Sequence, residues 1–327
     1  NLNVQLQIVY SMIEKNYRKT VAIFGGTGFI GEEIVQHLSK NNYKIKIATR
    51  NTYLAQNLKV YGDIAQIELH QVNLKSKESI EKFLEGCDVC INLVGILFET
   101  RSQKFKELHT NFPKMLATIF SKSSSSSLMI HFSALGVNSN SNSDYIKSKF
   151  LGEEEVKNNF LNSTIVRPSI VIGAKDKFFN MFAKLAGLLP LIPLVGSEVK
   201  FQPVYVGDVA KAVDKIIMNN ISKTIFELAG KNIYTFKELI KLLLKEIRKK
   251  RVILPIPFFA GRIQAMLFQL MPKPLLTLDQ IKILEEGDNI LTGKNKILKD
   301  LNIEAKSNET ILPTYLKVYR PAGQFTD

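Results

Sequence analysis

A glycine-rich turn between a buried strand and a helix constrains the fold of this chain more than any other feature. The apolar residues 21–24 predict a short strand, which leads into Gly25-Gly-Thr-Gly-Phe-Ile-Gly31 and an amphipathic helix ending near Lys40. Glycines at this spacing permit a tight turn, close approach of backbone N–H groups to a pyrophosphate, and close packing of helix on strand. This segment predicts the first unit of a dinucleotide-binding domain.

Strand and helix patterns then alternate up to about residue 172. The predicted strands cover residues 43–49, 67–72, 89–94, 128–133 and 163–172, and the predicted helices cover 79–84, 105–120 and 145–158. Strands that alternate with helices indicate β-α-β units and a parallel sheet. The predicted fold class is therefore α/β, a doubly wound parallel sheet of the NAD(P)-binding Rossmann type with a smaller, helix-rich C-terminal lobe.

The regular alternation stops after Gly173. Residues 178–188 predict a helix, the proline-broken run 189–196 predicts an apolar loop, and residues 202–213 and 224–230 predict a return to the sheet. We therefore predict a Rossmann domain over 19–230 and a C-terminal substrate or partner lobe over 231–327, to which 174–200 contribute.

Composition narrows the class of partner. Hydrophobic residues make up 45% and charged residues 23% of the 327, which excludes disordered and collagen-like chains. The net charge of +14 favours an anionic partner such as a dinucleotide or an acidic membrane surface. Because 36 of the 44 basic residues are Lys, an AT-rich genome would produce the same excess without a binding purpose. Both interpretations stay open, and no nucleic-acid partner is predicted.

The cysteines and histidines do not form a metal-binding pattern. Cys87 and Cys90 are the only cysteines, and Cys90 opens an apolar run that predicts a strand, so we favour a structural role over a zinc or redox role. The four histidines lack metal-ligand spacing: His37, His70, His109 and His131. No metal site and no disulfide are predicted, and a reducing compartment is expected.

The first twenty residues do not resemble a secretory signal, because they lack an uninterrupted apolar segment. They also contain fewer Arg and Ser residues than a mitochondrial presequence usually has. The chain begins with Asn1 rather than Met, and whether a presequence has been removed is left open.

The second predicted strand discriminates between the two nicotinamide cofactors. An NAD site usually places a carboxylate about 20 residues beyond the glycines to hold the ribose 2′-hydroxyl. No carboxylate occurs between Glu33 and Asp63, and Arg50 stands at the end of the strand, where a guanidinium can bind a 2′-phosphate. The sequence therefore predicts NADP(H) in preference to NAD(H). Alternatively, Arg50 covers the adenine, which leaves dinucleotide binding intact.

Three residues are candidates for chemistry. Tyr145 and Lys149 are four residues apart at the start of a helix, and Ser133 ends the preceding strand. Because residues four apart share a helix face, the Lys149 ammonium can lie beside the phenol and lower its pKa. Ser133 could hold a substrate oxygen while Tyr145 exchanges a proton. About one Tyr and Lys pair with this spacing is expected by chance in a chain of this composition. The motif is therefore informative only because it follows the fifth predicted strand, with Ser133 at the expected distance before it.

These motifs resemble the extended and atypical short-chain dehydrogenase/reductase superfamily, with Arg167-Pro168 as a further match. Within it, the chain is similar to the branch of the nucleotide-binding accessory subunit of respiratory complex I and its alphaproteobacterial relatives. The blocks that carry this narrower resemblance are Ile91-Asn-Leu-Val-Gly-Ile-Leu-Phe98, Phe178-Phe-Asn180, Phe201-Gln-Pro-Val-Tyr-Val-Gly-Asp208 and Leu312-Pro-Thr-Tyr315. The resemblance extends from about Val21 to Phe325.

The resemblance implies a bound NADPH and a set of cofactor contacts. Asn73 stands where the superfamily usually has Asp near the adenine, which weakens that contact. Tyr145 and Lys149 can serve cofactor contact alone. The implied contacts are Gly25, Thr27, Gly28, Phe29, Ile30, Gly31, Arg50, Asn73, Leu74, Val94, Gly95, Tyr145, Lys149 and Pro168.

The resemblance also implies a structural or assembly role in respiratory complex I or quinone metabolism. The expected location is the matrix face of the mitochondrial inner membrane or the cytoplasmic face of an alphaproteobacterial plasma membrane. The alternative is a freestanding NADP-dependent oxidoreductase, epimerase or dehydratase that uses Ser133, Tyr145 and Lys149. Whether the protein is an enzyme is left open.

The C-terminal lobe carries a candidate docking surface. Residues 253–259 and 266–271 are apolar and lie near four consecutive cations, Arg248, Lys249, Lys250 and Arg251. Apolar side chains beside a cation cluster suit contact with an anionic membrane or a partner embedded in one. In the alternative interpretation, these apolar residues form the core of the lobe and the cations form a solvated face.

Overall fold

A parallel sheet organises the first two thirds of the chain. The computed structural model describes residues 17–122, 127–269, 271, 274–321 and 323. The strands of the sheet are β1 Thr20–Phe24, β2 Lys44–Thr49, β3 Ile67–Gln71, β4 Val89–Asn92, β5 Leu128–Phe132, β6 Ser163–Pro168 and β11 Thr224–Leu228. They lie in the order β3-β2-β1-β4-β5-β6-β11, and every neighbouring pair is parallel. This order confirms the predicted doubly wound Rossmann fold.

Helices cover both faces of the sheet. They are α1 Phe29–Lys40, α2 Lys77–Leu84, α3 Phe112–Phe120, α4 Asp144–Asn159, α5 Phe178–Leu188 and α6 Val206–Met218. Alternate strand residues point to opposite faces, so Ile23 packs with α1 and α6 in one apolar core, whereas Phe24 packs with α2 and α3 in another. A 3₁₀ turn, Gln56–Tyr61, precedes β3, and a π-helical turn, Lys106–Asn111, leads into α3.

The C-terminal lobe has its own core. Its helices are α7 Phe236–Glu246, α8 Phe258–Phe268, α9 Leu278–Glu286 and α10 Asn308–Leu316, with 3₁₀ turns at Leu298–Leu301 and Lys317–Tyr319. Its short strands pair two by two: β7 Val171–Ile172 with β10 Val204–Tyr205, β9 Lys200–Phe201 with β12 Tyr234–Thr235, and β8 Leu191–Val195 with β13 Val252–Ile256. The third apolar core contains Phe179, Phe236, Leu243 and Leu312, so α5 packs with helices of the lobe.

Two of the predicted elements are wrong. The apolar loop predicted for 189–196 contains β8, which pairs in parallel with β13 even though Pro193 and Pro255 interrupt the two strands. Proline is tolerated there because each strand of a two-stranded sheet has a free edge. The predicted return to the sheet over 202–213 is β10 followed by helix α6, which packs on α1, so only β11 rejoins the large sheet.

The chain returns to the large sheet after α9. Lys296 forms an isolated bridge with Phe226 of β11, and Leu298, Leu301 and Ile303 are buried in the same core as Ile23. The division into separate units at residue 230 stays a prediction.

Several predicted features fall partly or wholly outside the described residues. They are the N-terminal segment up to residue 16, parts of 266–273, and the end of the chain beyond 323. Among the helices that the structure does describe, none has the length and apolar character needed to cross a bilayer.

Candidate dinucleotide-binding site

The predicted site residues converge at the carboxyl edge of the large sheet. Because neighbouring strands are parallel, Gly25 after β1, Arg50 after β2, Asn73 after β3, Gly95 after β4 and Ser133 after β5 all leave the same edge. Successive strands are added to one side of β1 up to β3 and to the other side from β4 onward, so the strand order reverses between β1 and β4. Ligands of open α/β sheets bind in the crevice at such a point. The topology therefore gathers the predicted residues around one crevice.

The glycine-rich turn is a cradle that side chains would fill. Gly25 has φ +83°, a left-handed conformation that favours glycine. A Cβ atom on Gly31 would lie 2.3 Å from the Gly25 carbonyl oxygen and 2.6 Å from Gly26 Cα. Helix α1 can therefore pack directly against the turn only because residue 31 lacks a side chain.

The N-terminus of α1 lies at the carboxyl end of β1, and no side chain among the described residues caps it. Gly28 is the N-cap residue, and because it has no side chain it leaves the first-turn N–H groups available. Thr27 and Gly28 are exposed, whereas Phe29 and Ile30 are half-buried. Unpaired N–H groups and the helix dipole favour a phosphate at this position. The cradle therefore fits the pyrophosphate of a dinucleotide.

The single acidic side chain in the first turn of α1, Glu32, is already neutralised. Its carboxylate accepts hydrogen bonds from Lys175 at 2.6 and 2.8 Å and from the Tyr61 hydroxyl at 2.6 Å. The ammonium of Lys175 therefore offsets the negative charge that would otherwise repel a phosphate here.

The adenine side of the crevice is open. Arg50 and Asn73 are exposed, and Leu74 and Val94 are half-buried against the second apolar core. The Asn73 side-chain oxygen accepts a hydrogen bond from the Lys75 N–H at 3.0 Å, so it shapes its own turn. Arg50 directly follows β2, at the same edge of the sheet as the glycine-rich turn.

Lys149 is buried at the bottom of the crevice. Its ammonium donates to the Phe132 carbonyl oxygen at 3.0 Å, and burial lowers its pKa to about 8, although the negative charge of Glu153 opposes that shift. A Cβ atom on Gly95 would lie 3.3 Å from Lys149 Nζ. The β4–α3 loop therefore runs directly over this ammonium.

The expected lowering of the Tyr145 pKa is wrong. Burial, together with the negative charge of Asp279, raises the pKa of Tyr145 to about 12. The Tyr145 ring packs edge-on against Phe105 and His109, at centroid distances of 5.8 and 5.5 Å. The phenol is therefore protonated at neutral pH and is suited to donate a hydrogen bond rather than to remove a proton.

Ser133 follows β5 with its hydroxyl group unsatisfied. Its backbone N–H donates to the Val166 carbonyl oxygen at 2.7 Å, while its buried Oγ has no hydrogen-bond partner within the described part of the chain. A buried hydroxyl without a partner is unfavourable unless a ligand satisfies it. Ser133 therefore fits a contact to a ligand oxygen.

Two histidines that sequence reasoning treated as scattered belong to this site. His109 Nε2 accepts a hydrogen bond from the Ile96 N–H at 3.0 Å, and its Nδ1 lies 2.9 Å from the Ser148 hydroxyl. His131 Nδ1 lies 3.1 Å from Asn92 Nδ2. Burial and the charge of Lys149 lower the pKa values to about 2 and about 3, so both imidazoles are neutral. His109 therefore fixes the backbone of the loop at Ile96, whereas His131 contacts the Asn92 side chain, whose Oδ1 accepts a hydrogen bond from the Val94 N–H at 3.1 Å.

A π-helical turn and one helical glycine bring His109 to the site. His109 lies within the π turn Lys106–Asn111, and such turns are frequent at functional sites. A Cβ atom on Gly152 would lie 1.9 Å from the His109 carbonyl oxygen. Gly152 therefore lets α4, which carries Tyr145 and Lys149, approach this turn closely. An isolated glycine in a helix pattern was the sequence signal for this contact.

Arg167, which contributes to the resemblance, forms a buried ion pair behind the site. Its guanidinium contacts both carboxylate oxygens of Glu153, at 2.9 and 2.6 Å, and Glu153 is fully buried on α4. Pro168, a predicted cofactor contact, is half-buried at the end of β6. The ion pair fixes α4 to β6.

Hydrogen bonds join the residues around the start of α5 to the residues at and just after the end of α10. The Tyr315 hydroxyl donates to Asp176 at 2.5 Å, and the Tyr319 hydroxyl donates to the Asn180 side chain at 2.8 Å. These residues hold α10 against α5 and have a packing role.

Both cysteines are buried free thiols. Cys90 lies within β4, as predicted, and burial raises the pKa of Cys87 to about 11 and raises that of Cys90 as well. Protonated, buried thiols are poor metal ligands and poor nucleophiles.

The fold and the glycine cradle define an extended short-chain dehydrogenase/reductase, a class that binds nicotinamide dinucleotides. The chain belongs to the NAD dependent epimerase/dehydratase family, which residues 21–229 match. The fold is shared by dTDP-glucose 4,6-dehydratase from Bacillus anthracis, solved in complex with NAD, with a TM-score of 0.67 and 18% identity over 92% of this chain and 96% of that one.

Within this family, the chain is similar to subunits of respiratory complex I. It is 33% identical to the mouse protein named NADH dehydrogenase [ubiquinone] 1 alpha subcomplex subunit 9, mitochondrial, over 86% of this chain and 75% of the relative. It is 29% identical to the NADH-ubiquinone oxidoreductase 40 kDa subunit, mitochondrial, of Neurospora crassa, over 92% of this chain and 80% of the relative. These similarities confirm the predicted branch.

Proposed function

We propose that this protein binds NADP(H) in preference to NAD(H). We further propose that it is a structural or assembly factor associated with respiratory complex I or with quinone metabolism. The observation that carries the cofactor preference is the exposed Arg50 at the end of β2, beside the glycine cradle, in a strand without a carboxylate. The structural role is supported by the similarity to complex I subunits.

Replacing Arg50 with glutamine is expected to weaken NADPH binding about 10- to 100-fold, because a hydrogen bond to a charged group contributes about 1.5–3 kcal/mol. NADH binding should stay within about twofold, since NADH lacks the 2′-phosphate. Isothermal titration calorimetry of wild type and variant with both cofactors measures this. Arg18→Gln is the matched control, because Arg18 is exposed and precedes β1, at the opposite edge of the sheet. Tighter binding of NADH than of NADPH by wild type would refute the preference.

A freestanding NADP-dependent oxidoreductase, epimerase or dehydratase is the second candidate. The observation that favours it is the buried Ser133 hydroxyl, which lacks a partner among the described residues and directly follows β5, two strands away from β1 in the sheet. NADPH oxidation with small carbonyl substrates tests it. Turnover that is lost in Tyr145→Phe would support the enzyme and overturn the structural role.

The association with complex I implies a location on a membrane surface, on the matrix face in mitochondria or on the cytoplasmic face in an alphaproteobacterium. We propose that the C-terminal lobe contacts anionic lipid there. On α8, Phe259 and Leu267 are 69% and 63% exposed, and on the neighbouring strand β13, Val252 is 60% exposed. Phe258 and Ala265, on the opposite side of α8, pack into the lobe.

Cations border this apolar face. Arg248 and Lys250 are exposed and Lys249 is half-buried, just before β13, and the Arg251 guanidinium reaches the Ala186 carbonyl oxygen at 2.8 Å. Basic residues near an anionic surface contribute about 1 kcal/mol each. The positive charge favours anionic lipid over a purely apolar partner.

Replacing Arg248, Lys249, Lys250 and Arg251 together with glutamine is expected to weaken binding to vesicles that contain anionic lipid at least about tenfold at low salt. The difference should shrink as salt is raised, because salt screens exposed charges. Vesicle cosedimentation measures this, and co-purification with complex I from solubilised membranes tests the association itself. The matched control has the same charge change on exposed lysines elsewhere: Lys59, Lys75, Lys82 and Lys122. Equal vesicle binding by the first variant and wild type at low salt would contradict the lipid contact.

A further inference from the structure

Helix α9 of the C-terminal lobe holds the residues that begin α4. Asp279, in the first turn of α9, accepts hydrogen bonds from the Ser143 hydroxyl at 2.7 Å, from the Asp144 N–H at 2.7 Å and from the Tyr145 N–H at 3.1 Å. A carboxylate at a helix N-terminus satisfies unpaired N–H groups and complements the helix dipole. One side chain of the lobe thus supports the backbone of Tyr145 directly.

A second carboxylate at the other end of α9 holds the same loop. Glu286 accepts a hydrogen bond from the Ser141 hydroxyl at 2.7 Å and another from the Asn142 N–H. Asp279 and Glu286 are seven residues apart, so two turns of α9 lie along residues 141–145.

The segment after α9 anchors the beginning of this loop. The Asn289 side chain donates to the Leu135 carbonyl oxygen at 3.1 Å and accepts from the Ser169 hydroxyl at 2.7 Å. Leu135 is two residues beyond Ser133. The connection from β5 to α4 is therefore tied to the lobe near both Ser133 and Tyr145.

We propose that Asp279 and Glu286 are positioning residues of the dinucleotide site. By fixing residues 141–145, they set the position and orientation of the Tyr145 side chain at the start of α4. Neither carboxylate belongs to the glycine cradle. This inference rests on the proposed dinucleotide binding. It makes the lobe part of the site rather than a separate attachment.

The surroundings of the phenol are consistent with this role. Phe105 and His109 pack against the Tyr145 ring, and His109 is neutral. Asp279 supplies the negative charge that, after burial, contributes to raising the pKa of Tyr145. Removing that charge should therefore lower the pKa of the phenol, since a negative neighbour disfavours the phenolate.

The first test measures NADPH affinity in Asp279→Asn and Glu286→Gln by calorimetry. Each variant is expected to bind NADPH about tenfold more weakly than wild type, the effect of losing a charged hydrogen bond. Glu285→Gln is the matched control, because Glu285 lies on the same helix and pairs with Arg262 at 2.8 Å. Its affinity should stay within about twofold of wild type. Unchanged affinity in both Asp279→Asn and Glu286→Gln would overturn the proposal.

The second test separates positioning from general destabilisation. Ultraviolet difference titration of tyrosinate, with Tyr145→Phe subtracted, follows the Tyr145 phenol alone. In Asp279→Asn this phenol should titrate at lower pH than in wild type, whereas in Glu285→Gln it should not move. If wild type binds neither dinucleotide, the proposed function fails and the positioning role fails with it, whereas if wild type binds NADPH, the affinities and the titration of the variants decide the positioning role alone. An unchanged Tyr145 titration in Asp279→Asn would refute it.

Discussion

Replacing Gly31 with alanine is expected to abolish measurable NADPH binding and to destabilise the protein by about 1–3 kcal/mol. The new Cβ atom would lie 2.3 Å from the Gly25 carbonyl oxygen, where no methyl group fits, so α1 or the turn must move. Either movement displaces the N–H groups that face the pyrophosphate. Calorimetric titration with NADPH and urea unfolding measure the two effects.

Gly187→Ala is the matched control for this change. Gly187 also lies in a helix, α5, but an added Cβ would only approach Lys249 Nζ at 3.4 Å, an ordinary contact. Alanine is favoured over glycine in helices by about 1 kcal/mol, so this variant should be as stable as wild type or more stable. If Gly31→Ala bound NADPH as tightly as Gly187→Ala, the cradle would not be the dinucleotide site.

Replacing Arg167 with methionine is expected to destabilise the protein by about 3–5 kcal/mol, because it leaves the fully buried Glu153 carboxylate without its partner. Methionine keeps most of the apolar volume of the arginine stem, so the loss reports the unpaired charge rather than a cavity. Urea unfolding at neutral pH, followed by circular dichroism, measures it.

A double-mutant cycle identifies the cause. Glu153→Leu combined with Arg167→Met removes both charges and should recover at least half of the lost stability, since an apolar pair can replace a buried ion pair. Lys77→Met, which breaks the exposed pair with Glu81 at 3.8 Å, should cost no more than about 1 kcal/mol. A double variant as unstable as Arg167→Met alone would show that packing, not charge, is responsible.

Local patterns explain what the sequence could predict. The strand, glycine turn and helix at residues 20–40 are contiguous, and each following strand carries its own run of apolar residues. Parallel strands then place Arg50, Asn73, Gly95 and Ser133 at one edge, whatever the details of packing. The alternation of strands and helices and the gathering of these residues at one edge therefore follow from short segments.

Contacts between distant segments explain what the sequence could not predict. Asp279 meets Ser143 across 136 residues, and His109 meets Ser148 across 39, and neither spacing forms a motif. The pKa of Tyr145 depends on burial and on the negative charge of Asp279. The prediction considered only the neighbouring Lys149 and therefore gave a lowered pKa instead of a raised one. Strand β8 was missed because its prolines predict a loop, and its partner β13 lies 61 residues further along the chain.

The return of residues 296–303 to the large sheet changes how the lobe is attached. Leu298, Leu301 and Ile303 complete the core that Ile23 begins, and Lys296 bridges to β11. The helices α7, α8 and α9 are thus inserted between two contributions to one core rather than appended to its end. Excising or exchanging them would need two cuts and a new junction. The lobe is consequently joined to the sheet by two covalent connections, one after β11 and one before Lys296.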